Sequence, residues 1–187
     1  MPGRQGGALM IEVLVAIAIV IFGVLAVMRV QGRLQLSEVE AYQRTQALIL
    51  LDDMVSRIET NRNDAENYVT ASPLGTGADC TEPGTPTLQE TDSSQWCSAL
   101  QGAAETQGGS NVGAMIGGRG CVEEVVGPGV REYLITVVWQ GMTPIAAPPA
   151  SITCAANAFD EVGTSCVNDL CRRYVSTIIR QADLETI

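Results

Sequence analysis

The feature that most constrains this chain is an apolar run from Ala8 to Met28, ALMIEVLVAIAIVIFGVLAVM, broken by a single charge at Glu12. About 20 consecutive apolar residues are enough to cross a bilayer as a helix. An acidic side chain at the centre of a bilayer costs about 2.5–3.5 kcal/mol on the insertion scale, and less near an end. Glu12 therefore needs a reason to be there. The leader before it, MPGRQGG, is short and polar, carries Arg4, and ends at Gly7. A secretory signal peptide has a shorter apolar core followed by a small-x-small cut site. Here the run from Val13 continues to Met28 and meets Arg29 instead. A plain single-span anchor would explain the length of the run but not the Gly7–Glu12 spacing.

Charge and cysteine content narrow the rest. The net charge is −10, with 21 acidic and 11 basic residues and no His. Every basic residue is Arg. Nucleic-acid binding needs basic clusters, so nucleic acid is not expected as a partner. Without His, the commonest general base and a common zinc ligand are missing. Neither a cofactor nor a metal is expected. Cys80, Cys97, Cys121, Cys154, Cys166 and Cys171 all lie beyond the apolar run. An even count in an exported region reads as up to three disulfides, among 15 possible pairings. The chain contains no Cys-x-x-Cys pair that would favour zinc. The leader, with its Arg4, is expected on the cytoplasmic side.

The helix is expected to continue beyond the membrane. Residues 33–62 contain no Pro and no Gly. Leu34, Ala41, Leu48, Leu51, Val55 and Ile58 recur at helical spacings as an apolar stripe that needs a cover. A helix from Ala8 to Arg62 would be on the order of 80 Å long, with Gly23 and Gly32 the expected points of bending. Residues 72–92 are rich in Pro, Gly, Thr and Asp and read as loop. A short helix is predicted over Ser93–Glu105, with Trp96, Leu100 and Ala103 on one face, followed by Gly-rich loop over 106–120. That loop lacks the phosphate-binding G-x-x-x-x-G-K-[ST] pattern.

Strands are predicted over Cys121–Val126 and Val130–Gln140, around the turn Gly127-Pro128-Gly129. Alternate residues of Arg131–Gln140 are apolar on both faces, as expected for a covered central strand. The Pro-containing stretch Gly141–Asp169 reads as a long loop that needs a tie or a task. Cys171–Ile179 reads as a last strand. The acid pairs Asp52-Asp53 and Glu123-Glu124 are adjacent in sequence, so their members face different ways and read as solvated charge. No nucleophile–base constellation is visible, and the chain is not expected to be an enzyme.

The arrangement Gly7, Ala8, Glu12 and unbroken apolar helix resembles a type IV prepilin signal. The resemblance implies cleavage between Gly7 and Ala8 by a prepilin peptidase, followed by N-methylation of Ala8, although most members carry Phe at that position. It gives Glu12 the role of neutralising a neighbouring subunit's N-terminal amine during docking. That pairing is physically sound, because an α-amine with pKa of about 7.7–8 is largely cationic at neutral pH. Four pieces resemble the PilV-type minor pilins, or pilus modification proteins: MIEVLVAIAIVIFGVLAVMRVQ, YQRTQALILLDDMVSRIETNR, DSSQW and REYLITVVWQG.

The resemblance implies an α+β pilin fold, in which a long N-terminal helix packs on a small antiparallel sheet and disulfides tie the loops. The implied segments are a leader at 1–7, a long helix at 8–62 whose 8–30 portion spans the membrane or packs in a fibre core, and a periplasmic head at 63–187. The implied setting is the bacterial inner membrane and then the pilus fibre. The implied partners are the membrane, other minor pilins and the major pilin, the inner-membrane assembly platform and a tip adhesin. Two alternatives stay open. One is a pseudopilin of a type II secretion system, which uses the same leader and helix. The other is a membrane-anchored periplasmic receptor or enzyme.

Overall fold

A computed structural model of the chain describes residues 6–103, 106–108, 110–111, 113, 115–125 and 131–181, with the side chains of residues 6–9, 106, 107, 110 and 111 outside that description. The chain divides into two compact units, Met1–Val39 and Glu40–Ile187. Helix α1 (Gly6–Thr60) runs through both.

In the first unit the stretch of α1 from Met10 to Met28 is apolar on every side but for Glu12. From Met10 to Val30 every described residue is exposed, including Ile11, Val13, Leu14, Phe22 and Leu25. A helix that is apolar all round belongs in a core or a membrane, and this one is long and apolar enough to cross a membrane. The helix continues unbroken through Gly23 and Gly32, and a Cβ at either would meet nothing.

In the second unit α1 forms one wall of the head. Its buried stripe is Gln43, Ala47, Leu51, Met54 and Ile58. This corrects the expected stripe: Leu51 and Ile58 belong to it, Val55 flanks it, and Ala41 and Leu48 are exposed. Its phase follows the core it enters: Ala47, Leu51, Met54 and Ile58 share one cluster with the apolar residues of the sheet, and Gln43 is buried one turn before them. The helix ends at Thr60 and passes into a 3-10 segment, Arg62–Tyr68.

The sheet has the order β1 (Leu74–Gly75), β4 (Arg119–Val125), β5 (Arg131–Gln140), β6 (Arg172–Gln181), all antiparallel. A separate small hairpin pairs β2 (Thr106–Gln107) with β3 (Ser110–Asn111). The register aligns Val122 with Ile135, Val137 with Val175, and Tyr133 with Ile179. These residues and Trp139 pack with the α1 stripe in one core. The other sheet face carries Cys121 and Val138, which pack against Cys154, Ala155, Phe159 and Tyr174. The long loop thus covers the second face, which explains why both faces of β5 are apolar.

Strands β4, β5 and β6 fall within two residues of their predicted bounds, whereas the two-residue strands β1, β2 and β3 lie in stretches read as loop, and the turn Gly127-Pro128-Gly129 lies outside the described residues. The short helix differs more. Helix α2 covers Leu88–Leu100, starting earlier than predicted and ending before Glu105, which is itself outside the described residues. Its start is fixed by a capping box. The Thr87 hydroxyl accepts from the Glu90 backbone N–H, and the Glu90 carboxylate accepts from the Thr87 backbone N–H. Its end is fixed at Gly102, whose φ of +82° suits glycine and whose bare Cα lies against Gly113.

Candidate functional site

Gly7 and Ala8 lie in the first turn of α1, and their side chains are outside the described residues, as are residues 1–5 altogether. Glu12 is exposed on the helix one turn further on, beside Ile11 and Val13. Its neighbours one turn away in either direction are Ala8 and Ala16. Among the described residues Glu12 makes no ion pair or hydrogen bond, and no group of His, Cys, Asp or Glu could hold a metal. A carboxylate on an apolar cylinder has one chemical capacity: it accepts a cation or a strong hydrogen-bond donor from another molecule.

The head is held by three disulfides, Cys80–Cys97, Cys121–Cys154 and Cys166–Cys171, with Cα separations of 5.4, 5.8 and 5.2 Å. These lie in the usual range for a bridge. The first two each tie a loop to a regular element, and the third closes a short loop. Cys80 in the Pro-rich loop is bound to Cys97 of α2. Cys154 in the long loop is bound to Cys121 of β4, across the outer face of the sheet. Cys166 is bound to Cys171, immediately before β6.

Two buried polar clusters position these elements, and neither was visible in the sequence. In the first, Arg57 of α1 donates to Asp92 of α2 at 2.6 Å, to Asp53 at 3.0 Å and to Gln95 at 3.0 Å. Tyr68, at the end of the 3-10 segment, donates its hydroxyl to the other Asp92 oxygen at 2.5 Å and accepts from Asn61 at 3.2 Å. Burial, with the Asp92 hydrogen bond second, pushes the Tyr68 phenol up to about 12. Burial alone would lower Arg57, but its hydrogen bonds to the Asp53 and Asp92 carboxylates outweigh it and hold Arg57 above its ordinary value. One signal was available: Asp92 stands four and eight residues before Trp96 and Leu100, on the face that buries both.

The second cluster centres on Arg172, which is buried at the start of β6. It donates to the carbonyls of Ile152 and Cys154 at 2.9 and 2.8 Å and pairs with Asp169 at 2.9 Å. Around it Ala155, Asn157, Asn168 and Asp169 all adopt positive φ. Asn and Asp tolerate this conformation, whereas Ala155 is strained there. Arg173, next in the chain, donates to the Thr143 carbonyl at 2.6 Å and pairs with Glu40 of α1 at 3.3 Å.

The acid pairs separate by position. Asp52 and Glu124 are exposed, as expected of solvated charge. Asp53 and Glu123 are half-buried and bonded, Asp53 to Arg57 and Glu123 to the Thr153 hydroxyl. Burial also lowers Arg119, whose guanidinium lies 5.0 Å from the Phe159 ring centre.

Compared with known proteins, the chain matches no protein-family model, no curated protein and no solved structure.

Proposed function

We propose that this chain is a minor subunit of a type IV pilus, of the PilV-type branch. It is cut between Gly7 and Ala8 and drawn from the inner membrane into the fibre, or into the complex that primes it, in support of adhesion or motility. Glu12 carries the reading. It is an exposed carboxylate without a partner among the described residues, on an otherwise apolar helix, fifth in a chain that begins at Ala8. The α-amine of a second processed subunit is a cation of the right kind. Bringing the two charges together in an apolar fibre core removes the cost of leaving either one alone. The disulfide-tied head, with α1 laid on a small antiparallel sheet, is the layout this reading requires and supports it.

The absence of Lys sharpens the test. The α-amine is the one amine that reductive methylation can modify, so intact mass before and after labelling reports both the first residue and its methylation. The material is the native host's membrane fraction and its sheared surface fibres. A chain starting at Ala8 in the sheared fibres is the expected result. A processed chain confined to the membrane would favour the type II secretion pseudopilin. A chain retaining residues 1–7 would make the helix an ordinary anchor and end the proposal.

A further inference from the structure

The chain carries a net charge of −10, yet from Val13 to Ser37 its only charges are Arg29 and Arg33. Both are exposed on α1, and neither pairs with a carboxylate among the described residues. Residues four apart on a helix lie on one face, one above the other. The run from Ala8 to Met28 spans about 31 Å at a rise of 1.5 Å per residue, against a hydrocarbon core of about 30 Å. A helix that buries this run brings Arg29 to the edge of the hydrocarbon and Arg33 about 6 Å further out, at the depth of lipid phosphates. Long Arg side chains reach outward from such positions and keep their stems on apolar surface.

We infer that Arg29 and Arg33 form a cationic collar that binds anionic phospholipid headgroups in the leaflet on the head side of the membrane. A guanidinium matches a phosphate with two parallel hydrogen bonds. A basic residue at an anionic surface favours contact by roughly five-fold. The collar stands where an acidic protein meets an acidic surface, and it offsets that local repulsion. The inference rests on the membrane-spanning part of the proposed function and not on the pilus part.

The test uses the full chain in nanodiscs of equal phosphatidylglycerol and phosphatidylcholine. Lipids retained on release are counted by native mass spectrometry. Wild type is expected to retain phosphatidylglycerol over phosphatidylcholine by roughly five-fold or more. The ratio should fall near one in R29Q/R33Q and stay at the wild-type value in R44Q, which removes an exposed Arg of the second unit. A wild-type ratio near one, or an unchanged ratio in R29Q/R33Q, overturns the collar. Membranes carrying each variant are also washed at alkaline pH. Wild type that washes off overturns the span, and the collar with it. Wild type that stays but shows no lipid preference overturns the collar alone.

Discussion

Arg57 of α1 and Asp92 of α2 meet at 2.6 Å, and Asp92 is buried. The pair joins two helices that no disulfide connects, and Tyr68 completes it from the 3-10 segment between them. Truncating Asp92 would leave the Arg57 guanidinium and the Tyr68 hydroxyl short of their acceptor. Asp92→Ala is therefore expected to lower the stability of the head by about 2–3 kcal/mol, the scale for hydrogen bonds to charged groups. Chemical denaturation of the full chain in detergent, followed by Trp fluorescence, measures it. An unchanged midpoint would mean that the pair is incidental to the fold.

Tyr68 should make the head sensitive to alkali. Its phenol titrates near 10 when unfolded and at about 12 when folded. Because the folded value is the higher one, the folded state holds the proton longer. The stabilising contribution is complete below pH 10 and is lost as pH rises from 10 to 12. The loss is of the order of 2–3 kcal/mol by linkage. Wild type should weaken over this window relative to Tyr68→Phe, which has no phenol to titrate. Denaturation midpoints of both proteins at pH 9 and pH 11.5 decide the matter.

Gly120 of β4 lies directly beneath the Trp96 indole, and a Cβ there would sit 2.1 Å from the ring. The ring is fully buried and is held by its N–H donating to the Leu50 carbonyl of α1 at 2.8 Å. It cannot retreat without losing that bond. Gly120→Ala should cost about 1–3 kcal/mol or more through overpacking. The Trp emission should shift to the red. Wild-type stability with unshifted emission would contradict this packing.

The disulfides should rank by the length of chain they close. The sequence separations are 33 for Cys121–Cys154, 17 for Cys80–Cys97 and 5 for Cys166–Cys171. On the chain-entropy account their removal as Cys→Ala pairs costs about 3.7, 3.1 and 2.1 kcal/mol respectively. Peptide mapping without reduction tests the pairing, and denaturation of the three double variants tests the order. Six free thiols in the native protein would refute the bridges altogether.

On the proposed pilus reading, Glu12→Ala should leave cleavage after Gly7 unchanged but keep the subunit out of the fibre. Immunoblots of membranes and sheared pili separate the two effects. Normal amounts of the variant in sheared pili would remove Glu12 from the docking step.

What the sequence made legible was what local pattern encodes. The apolar run and the β-branched strands show as uninterrupted composition and alternation, so α1, β4, β5 and β6 stand close to their predicted places. The start of α2 was obscured because Pro83, Gly84 and Pro86 dominate the composition just before it. The Thr87–Glu90 spacing, read as a capping box, would have found it. The phase of the α1 stripe was not legible. Leu48 is more apolar than Gln43, yet Gln43 is buried and Leu48 is exposed. The cysteine count pointed to three bridges but not to partners, because pairing depends on how the long loop crosses the sheet. The Arg172 cluster was hidden for the same reason. Two of its three acceptors are backbone carbonyls, which a sequence does not distinguish. For the processing site, the sequence pattern remains the source of the reading, because the side chains of Gly7 and Ala8 lie outside the described residues.

The wall that α1 lends to the head has a consequence for biogenesis. Ala47, Leu51, Met54 and Ile58 are synthesised early, and their partners Val175 and Ile179 sit on β6, the last element to appear. Contacts so distant in sequence form slowly, because the chain between them must close first. Until β6 arrives, the apolar stripe of α1 lacks the part of its cover that Val175 and Ile179 supply. The nascent head is therefore most vulnerable to aggregation late in its synthesis. Stop codons placed within β6 should yield chains oxidisable at all six cysteines and still unable to close their core.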